Sequence, residues 1–83
     1  MGVGATGPLV KRVQYWLANN GYTGETFTSD VQACAQDVEK CDGIYGPKTK
    51  EMVKKFQEDT NMINVDGIFG RQTYDAMFPE YMR

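Results

Sequence analysis

The sequence predicts an all-α fold, a small three-helix bundle with an additional short helix at about residues 30–40. Apolar residues recur at helical spacing in several segments, and no stretch shows convincing alternation of apolar and polar residues. The chain also contains an internal repeat, because DGIYGPKTKEMV at residues 42–53 returns as DGIFGRQTYDAM at residues 66–77. We expect each copy to turn the chain and to restart a helix.

Length and composition bound the possible functions. The 83 residues are enough for one small domain, which we expect to span residues 1–83 with an insertion at 23–41. The net charge of −2 and the lack of a basic patch disfavour a nucleic-acid partner. No apolar run approaches the ~20 residues of a membrane helix, so no membrane partner is expected. The stretch MGVGATGPLV has neither the charged start nor the apolar run of a signal peptide.

The first predicted helix lies within TGPLVKRVQYWLANNGY, residues 6–22. Pro8 suits the first helical position, where its missing N–H donor is not needed. Gly21 is expected in the left-handed conformation just after the helix, with Tyr22 folding back on the last turn. The predicted core stripe follows the i, i+3, i+7 rule and consists of Val10, Val13 and Leu17.

The insertion contains both cysteines of the chain. A helix at about 30–40 would place Val31, Cys34, Ala35 and Val38 on one face, with Ser29 as a plausible N-cap. In one continuous helix Cys34 and Cys41 would lie ~10.5 Å apart along the axis. A disulfide needs Cα atoms within about 7 Å of each other, so a Cys34–Cys41 bridge requires the helix to end before Cys41. We expect that bridge.

Both copies of the repeat are predicted to fold in the same way. In each copy the aspartate side chain should accept a hydrogen bond from the backbone two residues on, and the following glycine should adopt positive φ. The isoleucine is predicted to point into the core, and the second glycine to precede a helix. This structural motif comprises Asp42, Gly43, Ile44 and Gly46 in the first copy and Asp66, Gly67, Ile68 and Gly70 in the second.

The helices that follow the repeats have recognisable faces and ends. Met52, Val53 and Phe56 form the predicted apolar face of the first, which should end at Thr60-Asn61. The last helix should run from Gly70 through Met77 and stop at Pro79. The glutamines Gln14 and Gln57 are expected to hydrogen-bond backbone near the core.

The ordered motifs resemble one known family. V-x-x-V-Q-x-x-L, then GY, then two D-G-I-aromatic-G-x-x-T units resemble the peptidoglycan-binding domains found beside bacterial and phage cell-wall hydrolases. The resemblance covers about residues 7–78 apart from the insertion, which is far longer than the family's usual connection. Arg71 also replaces the proline of the second helix restart. The resemblance implies a non-catalytic module that binds glycan strands and stem peptides and raises the local substrate concentration of a hydrolase in the same or an associated chain.

The resemblance also directs attention to side chains that could meet a glycan. Aromatic rings are expected to stack on sugar faces, and amides near helix starts could receive a stem-peptide carboxylate. Trp16 and Tyr22 are further aromatic candidates, although Trp16 equally fits the edge of the core and Tyr22 fits packing at a helix end. The predicted ligand-binding residues, around a groove bordered by the two repeat loops, are Tyr45, Phe69, Tyr74, Thr49 and Thr73.

No catalytic chemistry is indicated by the residue types present. The chain has no histidine, which removes the commonest general base and metal ligand, and two cysteines alone cannot form a four-ligand zinc site. We therefore expect no enzyme activity, no metal and no cofactor. The location implied is the bacterial cell wall or an extracellular or phage-delivered setting. The alternative is a protein-interaction, prodomain-like or phage structural module, although the prodomain motif P-R-C-G is absent.

Overall fold

The computed structural model describes residues 1–23, 29–60 and 65–78, and this part of the chain is helical, without a strand. It therefore confirms the all-α prediction. An isolated bridge between Thr6 and Ile44 is the one β-type pairing in the described ranges. The predicted helix ends at Asn61 and Pro79 lie outside them. The elements are α1 (Pro8–Asn19), α2 (Ser29–Gln36), a 3₁₀ turn (Val38–Lys40), α3 (Pro47–Asp59) and α4 (Arg71–Met77).

The first helix ends as its sequence predicts. Gly21 has a φ of 82°, and the Tyr22 N–H donates to the Leu17 carbonyl at 2.9 Å. This is the pattern of a Schellman ending, in which a left-handed glycine reverses the chain. The Tyr22 ring then stacks on Trp16, and its hydroxyl donates to Asp59 at 2.7 Å, which links the ends of α1 and α3.

The insertion helix is shorter than predicted. The helix stops at Gln36 because Asp37 has extended backbone, with φ −152° and ψ 116°, and its side chain accepts from the Glu39 N–H at 3.0 Å. A 3₁₀ turn follows in place of the last turn of the predicted helix. This break lets the chain fold back, so that Cys34 and Cys41 form a disulfide with their Cα atoms 4.5 Å apart. The expected bridge, and the helix ending that it requires, are confirmed.

The core is formed by one face of α1 and one face of α3, with residues from the loops and α4 between them. The predicted stripes of both helices are buried, and Val10, Val13, Leu17 and Val53 have no exposed surface at all. Burial of such side chains is the main favourable contribution to folding in a chain of this size. The remaining buried apolar side chains of the cluster are Ala18, Val31, Tyr45, Met52, Phe56, Phe69 and Met77.

A buried glutamine organises the first repeat loop. The Oε1 atom of Gln14 accepts from the Gly43 N–H at 3.1 Å, and its Nε2 atom donates to the Ile44 carbonyl at 3.0 Å. The same Nε2 atom lies 2.9 Å from Asp42 Oδ1 and 3.0 Å from Thr49 Oγ1. Asp42 Oδ1 also accepts from the Ile44 N–H at 2.8 Å, which confirms the predicted turn. Gln14 therefore satisfies polar groups of the loop that would otherwise be buried without partners.

The second repeat loop is built by an equivalent set of contacts. Gln57 accepts from the Gly67 N–H at 3.0 Å and donates to the Ile68 carbonyl at 3.0 Å. Its Nε2 atom also lies 3.3 Å from Asp66 Oδ1 and 3.1 Å from Thr73 Oγ1. Asp66 Oδ1 accepts from the Ile68 N–H at 2.9 Å. The repeat in the sequence is thus a repeat in the hydrogen-bond network.

The insertion enters the first unit without changing this network. The glutamine precedes its aspartate by 28 residues in the first unit and by 9 in the second. The 19 additional residues equal the length of the segment 23–41. The insertion therefore extends the connection between helix and loop while leaving the loop itself intact.

The prediction that Ile44 and Ile68 point into the core is wrong. Their side chains are 53% and 51% exposed, whereas Tyr45 and Phe69, the residues after them, are 0% and 4% exposed. Successive side chains of an extended segment point in opposite directions, so only one residue of each pair can face inward. The larger aromatic ring takes the interior position, and the isoleucine faces solvent.

The N-terminal segment lies across both repeat loops. Tyr45 exchanges hydrogen bonds with it, because the Gly4 N–H donates to the Tyr45 carbonyl at 2.9 Å and the Tyr45 N–H donates to the Ala5 carbonyl at 2.8 Å. The Phe69 N–H donates to the Met1 carbonyl at 2.7 Å. The buried Tyr45 hydroxyl donates to the Gly67 carbonyl at 2.6 Å, and burial raises the pKa of this hydroxyl to about 12. These contacts join the two units.

We expect Gly67→Ala to destabilise the domain by about 1–2 kcal/mol more than Gly70→Ala. Gly67 has a φ of 73°, and a Cβ there would lie 2.6 Å from Lys50 Cγ. Gly70 has a φ of −102° and nothing within 4 Å of the equivalent position. Urea denaturation of both variants measures the difference. If Gly67→Ala keeps the parent's stability but loses ligand binding, the loop acts as a direct binding site.

The stability of the second loop should depend on the ionisation of Asp66. The bond from the Ile68 N–H, helped by Gln57 and the charge of Lys50, lowers the pKa of this carboxyl. Because the pKa is lower in the folded state, the ionised carboxylate stabilises the fold at pH values above its unfolded-state pKa. This stabilisation is lost as the pH falls through the folded-state pKa. We expect the melting temperature to decline below about pH 4 and to decline less in Asp66→Asn. Equal declines would contradict this prediction.

Removal of the disulfide by Cys34→Ser with Cys41→Ser should lower the free energy of unfolding by about 2 kcal/mol, since the bridge closes a short loop in the unfolded chain. Urea denaturation of the oxidised parent and the double variant measures this difference. A reducing agent should destabilise the parent and leave the double variant unchanged. Two free thiols in protein purified from an oxidising environment would contradict the bridge.

Candidate functional site

An aromatic groove of about 330 Å³ opens where α1, the 3₁₀ turn and α4 come together. Side chains from one face of α1 line one side. Tyr74 of α4 and Phe78, which directly follows α4, line the other. The insertion contributes Val38 of the 3₁₀ turn. The lining residues, which define the aromatic groove, are Leu9, Arg12, Tyr15, Trp16, Val38, Tyr74 and Phe78.

Helical spacing places the α1 residues of the groove together. Leu9, Arg12 and Trp16 are separated by three and four positions, so they share one face of the helix beside the core stripe. The exposed fractions of Leu9 and Tyr15 are 43% and 37%, which is high for large apolar side chains. These residues leave apolar surface accessible at the edge of the core.

The rings of the groove are held in place by contacts with one another and with the core. Trp16 stacks on Tyr22 with a centroid separation of 5.9 Å, and it meets Phe56 edge-on at 5.2 Å. Phe78 lies 6.5 Å from Trp16 and 5.4 Å from Tyr74. Edge-on and stacked pairs of this kind stabilise ring positions, so the groove is largely formed before any ligand arrives.

Arg12 is the one charged residue among the described side chains that line the aromatic groove. Within residues 1–23, 29–60 and 65–78, no ion pair and no side-chain hydrogen bond engages its guanidinium. None of the described residues therefore accepts a hydrogen bond from its five N–H donors. In this part of the chain the groove combines aromatic surface with one cationic side chain.

Of the five residues predicted to bind ligand, Tyr74 lies in the groove and the other four are buried. The exposed fractions are 0% for Tyr45, 4% for Phe69, 3% for Thr49 and 2% for Thr73. The expectation that Tyr45 and Phe69 present open aromatic faces is wrong, because their rings fill the core. The threonine hydroxyls hydrogen-bond the two buried glutamines, so they are not presented to a ligand. Contact between a ligand and Tyr74 stays a prediction.

The groove residues other than Tyr74 and Trp16 were missed by sequence reasoning. Leu9 and Arg12 precede Trp16 at helical spacing, and this signal marks a second face of α1 beside its core stripe. Tyr15 follows Arg12 by three residues and Phe78 follows Tyr74 by four, but only the tertiary arrangement of α1 and α4 brings these two pairs together in one groove. The Trp16 ring is half-buried, so it serves both as core edge and as groove wall.

A second groove of about 320 Å³ lies between the insertion and the start of α3. It has charged side chains of both signs, including Lys48 and Asp30, whose charged atoms lie 3.9 Å apart. None of its described lining side chains is aromatic, so these side chains offer less to a sugar face than those of the aromatic groove do. The lining residues are Gln14, Asp30, Val31, Cys34, Lys40, Cys41, Asp42, Lys48, Thr49 and Met52.

Neither a metal centre nor a membrane segment is found in the described ranges. In those ranges, no three cysteine, aspartate or glutamate side chains lie close enough together to hold a metal ion. None of the described helices has the length and apolar character needed to cross a bilayer.

Comparison with known proteins identifies the family. Residues 6–77 match the family model described as "Putative peptidoglycan binding domain". No solved structure matches the chain. The matched residues include both glutamine-centred loops, α1, the insertion and α4, and therefore every helix that contributes to the aromatic groove. The chain belongs to the peptidoglycan-binding domain family.

Proposed function

We propose that the chain is a non-catalytic module that binds peptidoglycan through the aromatic groove and brings an associated cell-wall hydrolase to its substrate. This proposal is carried by one observation: in a chain of this family, accessible aromatic rings surround a guanidinium that has no ion-pair partner among the described residues. Sugar rings present C–H faces that pack on aromatic side chains, and their hydroxyl and acetamide groups accept hydrogen bonds.

The size of the groove favours weak binding of a short stretch of polymer. Its volume of about 330 Å³ is at the lower end of the range for small-molecule sites. A polar ligand in so small a site gains little beyond the free energy needed to order it. An insoluble wall offers many copies of the same unit, so the domain is retained by repeated rebinding.

The groove is suited to binding rather than to hydrolysis. Glycoside hydrolysis requires two carboxyl groups on opposite sides of the bond to be cleaved. No carboxylate is found among the described side chains that line the aromatic groove, and the chain has no histidine to replace one as a general base. The chemistry therefore belongs to a hydrolase domain, in the same chain or an associated one, at the bacterial cell wall or in an extracellular or phage-delivered setting.

Sedimentation with purified sacculi, stripped of protein and teichoic acid, tests the proposal. The isolated domain should pellet with the walls and release no soluble muropeptide, with little dependence on salt because the net charge is only −2. A folded domain that stays in the supernatant across several wall chemistries would favour the interaction-module alternative. Release of soluble fragments would contradict the non-catalytic role.

Tyr15→Ala locates the binding surface. The ring is 37% exposed and lines the groove, so its loss should weaken wall binding by about three- to tenfold without unfolding the domain. Ile68→Ala is the matched control, because this apolar side chain is exposed on a repeat loop outside the groove. If Ile68→Ala weakens binding and Tyr15→Ala does not, the repeat loops form the binding surface. Thermal melting of both variants confirms that they are folded.

A further inference from the structure

We infer that Arg12 makes the aromatic groove selective for N-acetylated glycans that carry a carboxylate, over neutral polymers of N-acetylglucosamine such as chitin. This inference rests on the proposed function and names the substrate class of the same groove. Sugar stacking alone does not separate the two polymers, since both present similar ring faces. A positive charge in the groove distinguishes the two polymers, because only one of them carries a carboxylate.

The other cations of α1 and α4, Lys11 and Arg71, each lie near a carboxylate, whereas Arg12 has no such partner in the described part of the chain. Lys11, the preceding residue on α1, lies 3.8 Å from Glu39. On α4, Arg71 lies 4.0 Å from Asp75. In the described part of the chain no carboxylate lies within ion-pair distance of Arg12, and none lines its groove. Among these residues, the guanidinium thus lines the groove without a carboxylate beside it.

The chemistry of arginine suits this role. A guanidinium offers parallel N–H donors that match the two oxygens of a carboxylate, and such charge-assisted pairs are stronger than neutral hydrogen bonds. Leu9, Trp16 and Phe78 form apolar walls beside the guanidinium, which is itself exposed to solvent. A neutral acetamide or hydroxyl accepts from the same donors but without charge assistance.

Position on α1 places the cation beside the stacking surface. Arg12 and Trp16 are four residues apart and therefore neighbours on one helix face. A sugar ring packed on the aromatic side chains would thus have a substituent within reach of the guanidinium. In peptidoglycan that substituent ends in a carboxylate from one of two sources: the lactyl group of a muramyl residue without its peptide, or the stem peptide.

The test compares three ligands by calorimetry: a chitin oligosaccharide, glycan strands stripped of peptides by an amidase, and strands that keep their peptides. The stripped strands carry lactyl carboxylates, the intact strands carry peptide carboxylates, and the chitin fragment carries neither. The wild-type domain should bind at least one carboxylate ligand about tenfold more tightly than the chitin fragment, as expected for a charge-assisted bond. The preferred ligand identifies the source of the carboxylate.

Three variants assign the preference to Arg12. Arg12→Gln should remove the tenfold preference by weakening the binding of the carboxylate ligands more than that of the chitin fragment, and Arg12→Lys should restore part of the preference. Arg71→Gln is the control, because it changes the net charge by the same amount as Arg12→Gln but at a side chain that lines neither groove. This variant should keep the wild-type preference. Melting curves establish that each variant is folded.

The outcomes separate this inference from the function on which it rests. If wild-type protein binds sacculi but shows no preference for carboxylate ligands, or if Arg12→Gln keeps the preference, the inference is overturned and the proposed function stands. If Arg12→Gln weakens binding of all ligands equally, Arg12 packs against the sugar and does not select. If wild-type protein binds neither sacculi nor any fragment, both proposals fail.

Discussion

Each half of the domain depends on the primary amide of one buried glutamine. An amide of this kind accepts and donates at the same point, which neither a carboxylate nor an ammonium does. In Gln14 the oxygen meets a loop N–H, while the nitrogen meets a loop carbonyl, the aspartate and the threonine hydroxyl. Gln57 makes the same set of contacts. Because the glycine N–H and the threonine hydroxyl of each set are buried, a side chain that could not pair with them would leave a buried polar group without a partner.

The two halves are joined by contacts that break their symmetry. Tyr45 and Phe69 occupy equivalent positions in the repeat, yet only the tyrosine has a hydroxyl, and that hydroxyl reaches the Gly67 carbonyl in the other loop. The N-terminal segment adds backbone hydrogen bonds to both aromatic residues. A difference of one oxygen atom between the two copies therefore connects the loops through the core. This explains why one copy of the repeat has tyrosine where the other has phenylalanine.

The sequence allowed the helices, the turn geometry and the role of the glutamines to be predicted, because these features depend on local spacing and on the conformational freedom of glycine. The orientation of Ile44 was predicted wrongly, since both it and Tyr45 are apolar and only the backbone direction after the turn decides which faces inward. The helix break at Asp37 was missed because its capping bond competes with a helical period that continues to Val38. Most of the groove could not be predicted, because it requires α4 to pack against α1.

The insertion has consequences for binding as well as for connection. Its 3₁₀ turn supplies Val38 to the aromatic groove. This turn lies between Cys34 and Cys41, which the disulfide joins. A wall made from an insertion would ordinarily lose its shape through the conformational freedom of a long loop. The bridge restricts that freedom before binding, so less ordering free energy opposes a weak ligand. The insertion that lengthens the first unit therefore also adds Val38 to the wall of the groove proposed to bind the ligand.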